Sequence, residues 1–164
     1  MILGLSVEAF TLLHVIISLI GIASGLIVVL AMIDGRRAGG LTELFLAATV
    51  LTSATGFLFH SKAFGPPHVI GVISLIVLAI TLVALYRRHL MGVWRPVYVI
   101  GATFALYLNC FVAVVQAFQK VAFLKPLAPT QTEPPFLAAQ AAMLLVFVIL
   151  GFLAVRRFHP SSLR

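Results

Sequence analysis

Long apolar runs, separated by charged or glycine- and proline-rich breaks, set the pattern of this chain. Glu8 and Asp34 bracket the first run, Glu43 and Lys62 the second, Lys62 and Arg87 the third, Arg95 and Lys120 the fourth, and Glu133 and Arg156 the fifth. The apolar parts cover residues 9–33, 41–60, 68–86, 96–119 and 135–155. A helix needs about 20 apolar residues to cross the hydrocarbon of a bilayer, and each run is near that length. None alternates as a barrel strand does. The pattern predicts an all-α integral membrane protein, one membrane domain over residues 1–164, built as a bundle of five transmembrane helices.

The breaks predict the connections. Asp34-Gly35-Arg36-Arg37 with Gly39-Gly40 reads as a tight turn, and so does Gly65-Pro66-Pro67. Residues 87–95 form a third. The connection from about Lys120 to Pro135 is the longest and holds Pro126, Pro129, Pro134 and Pro135. It should be largely irregular, with at most one short helical turn. Its length makes it a candidate for function or for a lid over the helix ends.

Composition narrows the class further. Hydrophobic residues make up 62% and charged residues 9%, against roughly 45–50% and about 25% in soluble domains. A soluble globule and a disordered chain are both excluded. The net charge of +7 is carried by loops, where it acts as orientation signal. No basic face with interleaved aromatics lies outside the runs, which argues against nucleic acid as a partner. One side carries eight basic residues, Arg36, Arg37, Arg87, Arg88, Arg95, Arg156, Arg157 and Arg164; the other carries three, Lys62, Lys120 and Lys125. The arginine side is therefore expected to be cytoplasmic, with the N-terminus outside and the C-terminus inside. Tyr86, Trp94 and Tyr98 fall at that boundary, where interfacial aromatics gather. The single cysteine, Cys110, lies inside a run and reads as a packing residue. The first run lacks a basic flank and is too long for a signal peptide, so it reads as a retained helix.

Helices in lipid pack through small residues and turn polar groups toward the bundle. His14, Ser18, Gly21 and Gly25 share one face of the first helix, and Thr49, Ser53, Gly56 and His60 one face of the second. Gly21, Gly25, Gly56 and Asn109 are the expected packing positions. Asn109 lies roughly 15 Å inward from Gln119, which suits an interhelical hydrogen bond or the wall of a polar cavity.

The strongest polar residues gather toward the outer side. His14, His60, His68, Gln116, Gln119, Lys120, Glu133 and Gln140 form the candidate ligand-binding cluster. Four readings follow. His14, His60 and His68 would bind a metal ion or haem, since imidazole is the commonest biological ligand for zinc, copper and iron. The same groups with Phe59, Phe64, Phe118, Phe123 and Phe136 would line a pocket for a quinone, lipid or small amphiphile. An ion-coupled carrier acting alone is disfavoured, because all four acids sit at helix ends or in loops, while a component of a larger transporter remains a further alternative. An accessory or assembly subunit, partnered by other membrane proteins and the bilayer, is the favoured reading. No GxSxG, HExxH or P-loop motif argues for catalysis. His89 and His159 lie among arginines at headgroup level, where anionic lipid accounts for them.

Thr55-Gly56-Phe57-Leu58-Phe59-His60, His68-Val69-Ile70-Gly71 and residues 109–135 give the chain a further feature. Through them it resembles small uncharacterised multi-span inner-membrane proteins of bacteria. The resemblance implies a bacterial inner-membrane address and brings no activity, cofactor or site residue with it.

Overall fold

The computed structural model describes residues 2, 4–59 and 65–159, and these form five α-helices joined by short connections. Ser6 starts the first: its hydroxyl accepts a 3.1 Å hydrogen bond from the Ala9 N–H, and Glu8 lies in the opening turn. Both features satisfy the exposed amides of a helix start. The helix, α1, runs Val7–Ile33 and ends at the Asp34-Gly35 turn. Next come α2, Gly40–Gly56, and α3, Pro66–Leu82. Proline is well placed at a helix start, because its missing N–H falls where no partner is needed, and α3 and α5 both begin with a Pro-Pro pair. A π-helical turn, Val83–Arg87, continues α3. α4, Trp94–Lys120, and α5, Pro134–Arg157, complete the set.

Among the described residues four helical segments are long and apolar enough to cross a membrane: Val7–Ile33, Pro66–Arg87, Trp94–Lys120 and Pro134–Arg157. α2 is shorter, at 17 residues. The connection expected to be irregular contains one 3-10 turn, Lys125–Leu127. A small apolar cluster of Phe118, Ala128 and Phe136 holds it down over the ends of α4 and α5.

Neighbouring helices run antiparallel, as short connections require. Gly25 of α1 meets Phe45 of α2, Ser53 of α2 meets Ser74 of α3, and Gly101 of α4 meets Thr81 of α3. Gln140 of α5 reaches the Phe111 carbonyl of α4. The helices pack in a ring in chain order, with α5 closing on α1. α4 also reaches α1 across the middle, and its Val99, Ala102, Ala105 and Leu106 are fully buried. The turns at 34–39 and 88–93 and the end of α5 therefore lie together at one end, with all the described arginines. The N-terminus, the α2–α3 connection and the α4–α5 connection lie at the other.

Candidate functional site

The polar residues expected to converge at the second end are distributed among separate local contacts. His14 is half-buried on α1. Its Nδ1 lies 2.8 Å from the Thr55 hydroxyl of α2, and its ring stands edge-on to Phe59 at 5.1 Å. His68 lies in the first turn of α3, where its Nδ1 accepts a 3.2 Å hydrogen bond from the Gly65 N–H; its ring packs on Phe57 at 5.8 Å. Gln116, Gln119 and Lys120 are exposed on the last turns of α4, with Lys120 in electrostatic range of His14. Glu133 closes the α4–α5 connection on itself. Its carboxylate accepts from the Thr130 hydroxyl at 2.8 Å, the Thr130 N–H at 3.1 Å and the Thr132 N–H at 3.0 Å. Desolvation raises the Glu133 pKa, but these hydrogen bonds outweigh it and hold the carboxyl below its ordinary value. Gln140 is buried and donates to the Phe111 carbonyl at 3.3 Å. His60 and Lys62 lie outside the described residues. Among the described residues no three His, Cys, Asp or Glu side chains gather as a metal site would require.

The packing positions behave differently from one another. A Cβ on Gly25 would stand 2.7 Å from Leu106 Cδ1 and 2.8 Å from the Phe45 ring, so three helices meet there with no room to spare. A Cβ on Gly21 would stand 3.3 Å from both Asn109 Nδ2 and Thr49 Oγ1. Gly56 is loose, with His14 Cε1 the nearest atom at 4.0 Å. Asn109 is buried at the expected depth, yet its Nδ2 has no hydrogen-bond partner among the described residues.

The arginine-rich end holds a cavity of about 280 Å³. Its wall is mostly apolar, with Val28, Met32, Ala38 and Leu90 among its side chains, and it also carries polar groups from Arg37, Thr42, Glu43, Tyr86, His89 and Tyr98. Three backbone features frame it. The π-helical turn Val83–Arg87 supplies Leu85 and Tyr86; such turns recur at functional sites. His89 and Leu90 are consecutive non-glycine residues in the left-handed region, at φ 49° and 59°. Strain of this kind costs of order 1–3 kcal/mol per residue and concentrates at ligand clamps and switches. The geometry persists because the Leu90 N–H bonds the Ala84 carbonyl at 3.1 Å and the Leu90 side chain is buried. The third feature is the C-terminal end of α5. Arg95 donates a 2.9 Å hydrogen bond to the Phe158 carbonyl, and Phe158 packs on the Tyr98 ring at 6.0 Å.

Sequence reasoning missed this site. Arg36, Arg37, Tyr86, His89 and Tyr98 fall at one boundary in the sequence, where each is expected to be an interfacial or headgroup-level residue. Tyr98 is in fact 2% exposed and faces Thr42. The available signal was the coincidence of histidine, tyrosine and arginine in the two turns assigned to the same side. Compared with protein-family models, curated proteins and solved structures, the chain matches none.

Proposed function

We propose that the chain is a five-span protein of a bacterial inner membrane, N-terminus outside and C-terminus cytoplasmic, whose function is to bind an amphiphile at its cytoplasmic end. The observation that carries this reading is the cavity lined by both apolar and polar side chains, two of them from the strained turn at His89 and Leu90. Ligand sites are concave, largely apolar and supplied with a few placed polar groups. The wall of Val28, Met32 and Leu90 suits a hydrocarbon or ring system, and Arg37, His89, Thr42 and Tyr98 suit its polar head.

The fifth span is supported by register. The contacts Thr55–His14, Thr49–Gly21 and Phe45–Gly25 lay α2 along α1 over most of its length. Seventeen residues rise about 25 Å, close to the hydrocarbon thickness of about 30 Å. The orientation is supported by the gathering of arginines at the cavity end.

The test is retention of ligand. Protein purified in mild detergent should carry a stoichiometric amphiphile detectable by mass spectrometry. Ala38→Phe, which fills the cavity from its half-buried turn, should lose it. Val148→Phe, on the exposed face of α5, should keep it. Equal content in both variants sinks the proposal. For topology, single cysteines at Ala38 and Leu58, in a Cys110→Ser background, should react with an impermeant maleimide in intact cells at Leu58 alone.

A second reading, the accessory subunit, draws on Gln116, Gln119 and Lys120. These polar side chains are exposed at the end of α4, where a partner subunit would satisfy them. Amine crosslinking from Lys120 to one defined membrane protein, lost on Gln116→Leu, supports it.

A further inference from the structure

The arginines at the cavity end are not equivalent. Arg36 pairs with Asp34 at 3.0 Å, Arg88 lies 4.9 Å over the Trp94 ring, Arg156 lies 5.4 Å over the Phe152 ring, and Arg95 holds the Phe158 carbonyl. Arg37, Arg87 and Arg157 make no ion pair, side-chain hydrogen bond or ring contact among the described residues. Of these three, Arg37 alone lines the cavity. A guanidinium presents a planar fork of donors that matches a phosphate in two parallel hydrogen bonds. His89 lines the same cavity from the turn in which it and Leu90 take positive φ. Glu43 is the one acid on the wall, and it sits in the first turn of α2, where its charge answers the free amides of that helix. Asp34 and Glu43 oppose seven described arginines at this end, Arg36, Arg37, Arg87, Arg88, Arg95, Arg156 and Arg157, so the field over the cavity is positive.

We infer that the amphiphile's head is a terminal phosphate, a monoester and not the diester of a zwitterionic lipid, held by Arg37 and His89 in the cavity wall while the apolar side chains take its tail. This deepens the amphiphile reading and rests on it. The same head chemistry has two sources, an anionic phospholipid of the surrounding leaflet or a free phosphate from solution.

The experiment compares thermal unfolding midpoints in nanodiscs. Protein in phosphatidylcholine is the baseline; phosphatidic acid, phosphatidylethanolamine and inorganic pyrophosphate are the three additions. Phosphatidic acid should raise the midpoint of the parent protein. Arg37→Gln should abolish that rise, Arg37→Lys should reduce it because the charge stays and the fork goes, and Arg157→Gln should leave it intact. Arg37→Lys and His89→Asn keep the test usable should Arg37→Gln not fold. A rise that survives in all the Arg37 variants and in His89→Asn overturns the phosphate assignment. So does an equal rise with phosphatidylethanolamine, and a rise lost on Ala38→Phe in that case leaves the amphiphile site standing without its anionic head. A rise with pyrophosphate and none with phosphatidic acid, lost on Arg37→Gln, supports the phosphate contact and overturns the amphiphile reading. No rise with any addition overturns the phosphate head, and the amphiphile reading then stands or falls on the ligand-retention test alone.

Discussion

His14 Nδ1 and Thr55 Oγ1 face each other across the α1–α2 seam at 2.8 Å. The Thr55 hydroxyl also lies 2.7 Å from the Leu51 carbonyl, one turn back on its own helix. A hydroxyl has one proton, so with that proton on Leu51 the histidine is the donor: Nδ1 carries the hydrogen and Nε2 keeps its lone pair. The pair ties the far ends of α1 and α2 together. Interhelical polar contacts in membranes are worth about 0.6–2 kcal/mol. A double-mutant cycle of His14→Ala and Thr55→Val should give a coupling in that range, measured by denaturant unfolding in detergent micelles. Additive losses would show that the two side chains do not depend on each other.

Glycines on the same seam should respond unequally. At Gly25 an added methyl meets Leu106 and the Phe45 ring well inside contact distance. Phe45 is fully buried and cannot step aside, so Gly25→Ala should destabilise by about 1–3 kcal/mol through overpacking. Gly56→Ala meets only His14 Cε1 at 4.0 Å and gains helix propensity of up to about 1 kcal/mol. It should be neutral or slightly stabilising in the same unfolding assay. Similar losses at both positions would mean that close packing at Gly25 is not the cause.

The helical nature of the chain was legible because it is local. Run length needs only consecutive residues. The candidate site was not legible in the same way. His14, His68, Glu133 and Gln140 were grouped by depth along their helices, but depth leaves open which way each side chain turns and what it meets first. His68 turns back to its own helix start, and Glu133 turns to Thr130 and Thr132. The cavity depends on features with no sequence period: a π-helical turn, two residues at positive φ, and a C-terminal Phe158 seated on Tyr98. Arg37 stands out only once the partners of the other arginines are known.

Glu133 should make the α4–α5 connection sensitive to acid. Its carboxyl is held below its ordinary pKa by donors from Thr130 and Thr132 that outweigh its desolvation. A depressed carboxylate contributes stability that is present above the unfolded pKa and is lost as the pH falls through the folded one. The loop closure should therefore be complete at neutral pH and fail progressively below the usual carboxylate range. Hydrogen exchange at residues 121–133 is the measurement. Protection corrected for intrinsic rates should fall with acid in the parent protein. Glu133→Gln should show low protection at neutral pH and little further change.

Asn109 poses the opposite problem, a polar group placed deep in the bundle without a hydrogen bond to its amide nitrogen. Thr49, the nearest candidate through Gly21, already donates its hydroxyl proton to the Phe45 carbonyl at 2.8 Å. Its oxygen makes no hydrogen bond with Nδ2. A buried donor left unmade costs about 1–3 kcal/mol, and replacing it by an apolar group of similar shape removes that cost. Asn109→Leu should therefore be neutral or stabilising by about 1–2 kcal/mol, provided the leucine keeps the contact with Gly21. Asn109→Asp should be destabilising by roughly 2.5–3.5 kcal/mol, the cost of an acid at mid-membrane. The two variants differ in charge at nearly the same shape, so an unfolding comparison separates polarity from packing. A loss of more than about 1 kcal/mol for Asn109→Leu, the net worth of a typical hydrogen bond, would mean that the Asn109 amide has a partner in the membrane and that the interior at Gly21 is hydrated.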